Sequence, residues 1–71
     1  MIIFTAHALL KLEQRGISRS MVLRVLAHPD EILLGRTGRR IAVREIGGEE
    51  LKVVFVRKGK HILVITQYFK D

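Results

Sequence analysis

Three basic side chains near the amino-terminal end, His7, Lys11 and Arg15, recur at intervals of four residues. Residues four apart lie on one face of an α-helix, so this spacing predicts a basic stripe with Gln14 beside it. Such a stripe can bind phosphate, and its imidazole can exchange a proton near neutral pH. The alternative is an ordinary solvated helix face. Like charges at this spacing destabilise an isolated helix slightly, which favours a stripe that an anionic ligand compensates.

A second basic group, all arginine, lies in the middle of the chain. It comprises Arg36, Arg39, Arg40 and Arg44. Guanidinium groups bind phosphate oxygens through paired hydrogen bonds and stack on unpaired bases, which suits single-stranded RNA. The cluster spans a predicted hairpin turn and the next strand, where Arg40 and Arg44 share a polar face with Ala42. The alternative is that these charges protect an exposed strand from edge-to-edge aggregation.

Tyr68, near the carboxyl-terminal end, is a third candidate for chemistry. A tyrosine can stack on a base, donate a hydrogen bond or take part in proton transfer. In a predicted final strand it shares a face with Thr66, while Gln67 takes the other face. The alternative is a packing tyrosine whose hydroxyl group lies in water.

Metal and cofactor chemistry is not predicted. The chain has no cysteine, and its three histidines are scattered. It contains neither a phosphate-binding glycine-rich loop nor a Ser, His and Asp set in a recognisable context. Any enzymatic mechanism is therefore expected to be independent of metal.

Charge favours an anionic partner, since 13 Lys and Arg against seven Asp and Glu give a formal charge of +6 over 71 residues. RNA is the expected partner, and an acidic protein is the alternative. This length predicts a single domain over residues 1–71. No apolar stretch is long enough to cross a bilayer, and Met1 to Thr5 does not resemble a secretory leader, which predicts a cytoplasmic protein.

The candidate functional residues must be positioned by helices and strands, which the sequence also predicts. A β-branched and aromatic run at Ile2 to Phe4 predicts a strand, and Thr5 then caps a helix from about Ala6 to Arg15 that ends at Gly16. Ser18 caps a second helix, which ends at His28 and Pro29.

Four strand-like runs follow, separated by short links that contain glycine: Glu31 to Leu34, Arg40 to Ile46, Leu51 to Arg57, and His61 to Phe69. Short links favour hairpins, and the last two runs are apolar enough to be central. The predicted fold is α+β: an N-terminal strand, a two-helix hairpin and a twisted antiparallel β-meander of about four strands.

The first part of the chain also carries a resemblance. Phe4-Thr5-x-His7-Ala8, Lys11 and Arg15-Gly16-Ile17-Ser18 resemble the start of a family of uncharacterised small domains, F-S/T-x-H-A-x-x-R-x-x-x-R-G-I. The strands at Leu51 to Val56 and Ile62 to Thr66 are similar to that family's final pair.

That family looks related to toxins of the RelE, ParE and BrnT types from toxin-antitoxin pairs, which pack helices on a twisted antiparallel sheet. Many of those toxins cut RNA without metal. The resemblance implies that His7 and Arg15 occupy motif positions, whereas Lys11 stands where arginine is usual. Lysine keeps the charge but lacks the planar fork that clamps phosphate.

The resulting hypothesis is a RelE-like, metal-independent ribonuclease. His7 would remove the ribose 2′-OH proton, Lys11, Arg15 and Arg44 would stabilise the phosphorane, and Tyr68 would assist the leaving oxygen. It requires the basic side of the first helix and the exposed side of the sheet to open onto one concavity. The alternatives are a non-catalytic module that binds nucleic acid or an acidic antitoxin, and a ParE-like inhibitor of a protein target. A homo-oligomer is a further expectation.

Overall fold

The computed structural model describes residues 1–70 and confirms the predicted α+β order of elements. They are β1 (Ile2–Phe4), α1 (Ala6–Arg15), α2 (Arg19–Ala27), β2 (Glu31–Leu34), β3 (Arg40–Ile46), β4 (Glu49–Lys58) and β5 (His61–Phe69). A short 3-10 turn at Arg36–Gly38 links β2 to β3. Among the strands only β4 differs from its predicted bounds of Leu51 to Arg57: it starts at Glu49 and ends at Lys58.

The strands form one five-stranded sheet in the order β1-β5-β4-β3-β2. Strands β2 to β5 form the predicted antiparallel meander, with β4 in the centre. The sequence did not predict that β1 pairs with β5 in parallel, Ile2 lying beside Ile62. Parallel neighbours need a long crossover connection, which here is the whole chain between them. The sheet is therefore mixed.

Both helices begin and end at the predicted residues. The hydroxyl oxygen of Thr5 accepts from the Ala8 N–H (3.1 Å), and that of Ser18 accepts from the Met21 N–H (3.2 Å). Gly16 ends α1 at φ 63°, a left-handed conformation that other residues resist. Within residues 1–70, neither helix is long and apolar enough to span a membrane.

The helices pack on one face of the sheet, α1 against β5 and α2 against β3 and β4. Ala8, Leu12, Val22 and Val25 supply the buried helical side chains. The sheet contributes Ala42, Leu51, Val53, Phe55 and Val64 to the same cluster. This single apolar layer between helices and sheet holds α1 rigidly over β5.

The structure corrects the predicted role of the two faces of β3. Ala42 is 1% exposed and belongs to the core, so the face it shares with Arg40 and Arg44 is covered by the helices. Arg44 Nη1 donates to the carbonyl oxygen of His28 at the end of α2 (2.7 Å). The small Ala42 lies under the helix, while long arginine stems carry their charged ends beyond its edge. Alternation showed which residues share a face, but not which face is covered.

Candidate nucleic-acid interface

The first candidate is the α1–β5 surface, formed by His7, Lys11 and Arg15 of α1 with Thr66 and Tyr68 of β5. Two side chains outside it fix the helix to the strand. Thr5 Oγ1, which caps α1, also lies 3.1 Å from the Val64 carbonyl oxygen and donates to it. Gln67 Nε2 donates to the carbonyl oxygen of Ala8 (2.9 Å). The helix therefore has one fixed position along β5.

A β-bulge in β5 sets the direction of the side chains beside the helix. Val64 and Thr66 pair with consecutive residues of β4, which leaves Ile65 as the extra residue. A bulge shifts the alternation of the strand by one residue. Val64 and Gln67 are consequently both fully buried, while Tyr68, on the opposite face from Gln67, is only partly buried. The predicted opposition of Gln67 and Tyr68 is confirmed, although no local pattern of residues predicted the bulge.

Arg15 is held at the edge of β5 that β1 leaves uncovered, since β1 pairs only as far as Val64. Arg15 Nη1 donates to the carbonyl oxygen of Gln67 (2.9 Å) and to Thr66 Oγ1 (3.3 Å). Its Cζ atom lies 5.9 Å from the centre of the Tyr68 ring. Nη1 donates both hydrogen bonds. Among residues 1–70 the Nε and Nη2 donors of the Arg15 guanidinium make no hydrogen bond, so they can bind an anion. Arg15 thus reaches around the edge of β5 to Tyr68, whereas α1 and Tyr68 lie on opposite faces of the sheet and do not line one concavity.

His7 does not reach this pair. It is exposed on α1 and lies eight residues before Arg15, which corresponds to about 12 Å along the helix axis and about 80° around it. Lys11 lies between them, half-buried, with its Nζ 3.0 Å from Gln14 Oε1. The stripe therefore winds from solvent at His7 toward the sheet at Arg15. The three side chains follow a line rather than surround a point.

The second candidate, the arginine cluster, lies toward the other edge of the sheet. Strands β5 and β3 are two positions apart in the sheet order, roughly 10 Å at normal strand spacing. Arg36 and Arg39 are exposed in and beside the 3-10 turn, whereas Arg44 is bonded to α2. Arg40 lines an open groove of about 430 Å³ with Ile32, Gly38, Phe55 and Arg57. Sequence reasoning missed Arg57, whose only signal was its position two residues after Phe55 on the same face.

Several acidic side chains collect at the start of β2, at the opposite end of that strand from the turn that carries Arg36. Four of the seven carboxylates in the sequence line an open groove of about 210 Å³ around Val43: Asp30, Glu31, Glu45 and Glu50. This segregation leaves the α1–β5 surface and the arginine turn more positive than the net charge alone indicates. Over the described residues, 1–70, no group of three or more His, Cys, Asp or Glu side chains could hold a metal ion.

Comparison with curated proteins and with solved structures finds no significant match. Residues 4–69 match the model of a family described as a domain of unknown function, DUF4258. The match spans both helices, strands β2 to β5 and every residue of the α1–β5 surface. Because it covers nearly the whole chain, the protein belongs to the DUF4258 family.

Proposed function

We propose that this protein binds single-stranded RNA through the α1–β5 surface. The observation that carries the proposal is Arg15, which β5 holds in place through Gln67 and Thr66 while part of its fork stays open. A guanidinium group that is already ordered loses less conformational entropy when it binds phosphate. The Tyr68 ring beside it offers a stacking platform for an unpaired base. A phosphate contact next to a base contact suits an unpaired strand better than a duplex.

The line that His7, Lys11 and Arg15 form along α1 supports binding along an RNA backbone. A separation of about 12 Å along α1 is too large for His7 and Arg15 to contact one phosphate. Each of them, with Lys11 between, would instead meet a different phosphate of the same strand. The two charged contacts, from Lys11 and Arg15, predict that log Kd rises with log salt concentration with a slope of about 1.4, since each charged contact on a single strand contributes about 0.7.

Metal-independent RNA cleavage of the RelE-like toxin type is the second candidate. The pairing of Arg15 with Tyr68 favours it, together with the resemblance of Phe4 to Ser18 to a family of small domains that looks related to those toxins. The predicted base, His7, lies about 12 Å from Arg15 along α1 and does not serve the same phosphate. In this mechanism solvent therefore takes the 2′-OH proton, and the 2′-oxygen attacks the adjacent phosphorus. Arg15 and Lys11 stabilise the phosphorane, and Tyr68 protonates the departing 5′-oxygen. The products would be a 2′,3′-cyclic phosphate and a 5′-hydroxyl end.

Fluorescence anisotropy with a labelled RNA pool in EDTA tests the binding proposal, and a denaturing gel of the same samples tests cleavage. Arg15→Gln should weaken binding about tenfold, the effect of losing one charge-assisted contact. Arg24→Gln is the matched control, because it removes the same charge from the exposed surface of α2. That control should retain binding within about twofold, since a distant charge is screened by salt.

Equal losses in Arg15→Gln and Arg24→Gln would show that binding depends on net charge alone and would reject the α1–β5 surface. Cleavage that is lost in both Arg15→Gln and Tyr68→Phe would establish the second candidate.

A further inference from the structure

Strand β2 is the outermost strand at its side of the sheet and presents an apolar free edge. All four of its residues are exposed, and three of them are large and apolar: Ile32 at 49%, Leu33 at 38% and Leu34 at 81%. Free edges of folded proteins are usually blunted by charge, proline or a covering element, because they can pair with another strand. The central part of β2 has neither charge nor proline.

The backbone of β2 shows which groups are available for pairing. The Gly35 N–H donates to the carbonyl oxygen of Arg39 (2.7 Å), so odd-numbered residues of β2 exchange hydrogen bonds with β3. The N–H and C=O groups of Ile32 and Leu34 therefore point away from the sheet. Two outward residues separated by one inward residue can pair with an identical strand in the antiparallel sense.

We propose that two copies of this chain pair through β2, joining their five-stranded sheets into one ten-stranded sheet. In this register Leu33 lies opposite Leu33 of the partner subunit on the two-fold axis. Ile32 of one copy and Leu34 of the partner subunit donate one backbone hydrogen bond to each other. By symmetry, Leu34 of the first copy and Ile32 of the partner subunit do the same. Four hydrogen bonds form, and three exposed apolar side chains of each copy are covered.

The charges beside the two ends of β2 are opposite in sign, so they are complementary in this antiparallel register. Asp30 precedes the strand and lies among the carboxylates of the acidic groove, whereas Arg36 follows it and is exposed. Antiparallel pairing about Leu33 brings Arg36 of the partner subunit opposite Asp30, and the two-fold axis repeats the contact. The Asp30 N–H and Oδ2 are bonded to β3, so Oδ1 is the atom that would meet this arginine. A strand with an acidic start and a basic end is thus complementary to itself, although two copies with a charge of +6 each repel overall.

Sedimentation equilibrium of the full chain tests the proposal, with the expected mass twice 8.1 kDa. Ile32→Pro should abolish the dimer, because proline removes an outward N–H without removing a bond to β3. Ile32→Val is the matched control and should remain dimeric. Circular dichroism of both variants establishes that the monomer is folded.

A charge exchange tests the register. Asp30→Arg and Arg36→Asp should each weaken the dimer at least about tenfold, and the double variant should restore it. Asp30 also accepts from the Glu45 N–H (3.2 Å), but the single Asp30→Arg variant and the double variant both lose that bond. A wild-type chain that stays monomeric up to about 1 mM overturns the proposal, since that marks negligible affinity. A dimer that survives Ile32→Pro, or a double variant without rescue, also overturns it.

Discussion

Gln67 allows a quantitative test of how α1 is held on β5. Its side chain is fully buried, and its Nε2 donates to the carbonyl oxygen of Ala8 (2.9 Å). Its Oε1 has no hydrogen-bond partner among residues 1–70. Methionine is unbranched and nearly the same size, so Gln67→Met removes both polar atoms with little change of shape.

The expected magnitude comes from two opposing terms. Losing the bond to Ala8 costs about 1 kcal/mol net, and that carbonyl oxygen keeps its bond within the helix. Removing a buried oxygen without a partner recovers about 1–3 kcal/mol. Gln67→Met should therefore raise the free energy of unfolding by about 1 kcal/mol, which for a domain of this size raises Tm by about 4–8 °C.

Urea denaturation followed by circular dichroism measures this change. Gln67→Ala is the matched truncation: it relieves the same oxygen but leaves a cavity, and large-to-small substitutions in a core cost about 2–5 kcal/mol. Stability should therefore fall in that variant. A loss of stability in Gln67→Met would refute the reasoning, because it would show that both ends of the amide are satisfied in the folded protein.

Two further predictions concern the ends of the helices. Gly16→Ala should lower the free energy of unfolding by about 1 kcal/mol through backbone strain alone, since a Cβ atom there would meet nothing within 4 Å. Gly16→Asn should lower it by less. Equal stability of the wild type and both variants in thermal melts would contradict this prediction. Arg44→Met should lower stability by about 1 kcal/mol by removing the bond to the His28 carbonyl oxygen. Arg40→Met, on the same face, should change it by less than about 0.5 kcal/mol, and equal effects in urea titrations would refute a specific role of Arg44.

Local signals in the sequence were sufficient for the elements. Thr5, Gly16 and Ser18 have the chemistry of helix caps, and the glycine-containing links separate strands whose lengths suit hairpins. These signals act over a few residues, so each one predicts its element independently of the rest of the chain. The predicted meander followed for the same reason.

Long-range features were not predictable in this way. The pairing of β1 with β5 joins residues 60 apart, Ile2 with Ile62, and the bulge at Ile65 has no local sequence signal. Both determine the candidate site, because together they leave the edge of β5 that Arg15 occupies. The sequence likewise grouped His7 with Arg15 by spacing, while the winding of the helix separates them. Spacing shows which residues follow a line, but the packing of α1 on β5 decides which of them meet.

Chemical-shift mapping of a short unstructured RNA onto the isotope-labelled protein tests the central claim most directly. Binding through the α1–β5 surface predicts that amide signals of residues 7–15 and 66–69 shift together during the titration, and that those of residues 36–40 change little. Shifts centred on residues 36–40, with α1 unaffected, would contradict the account.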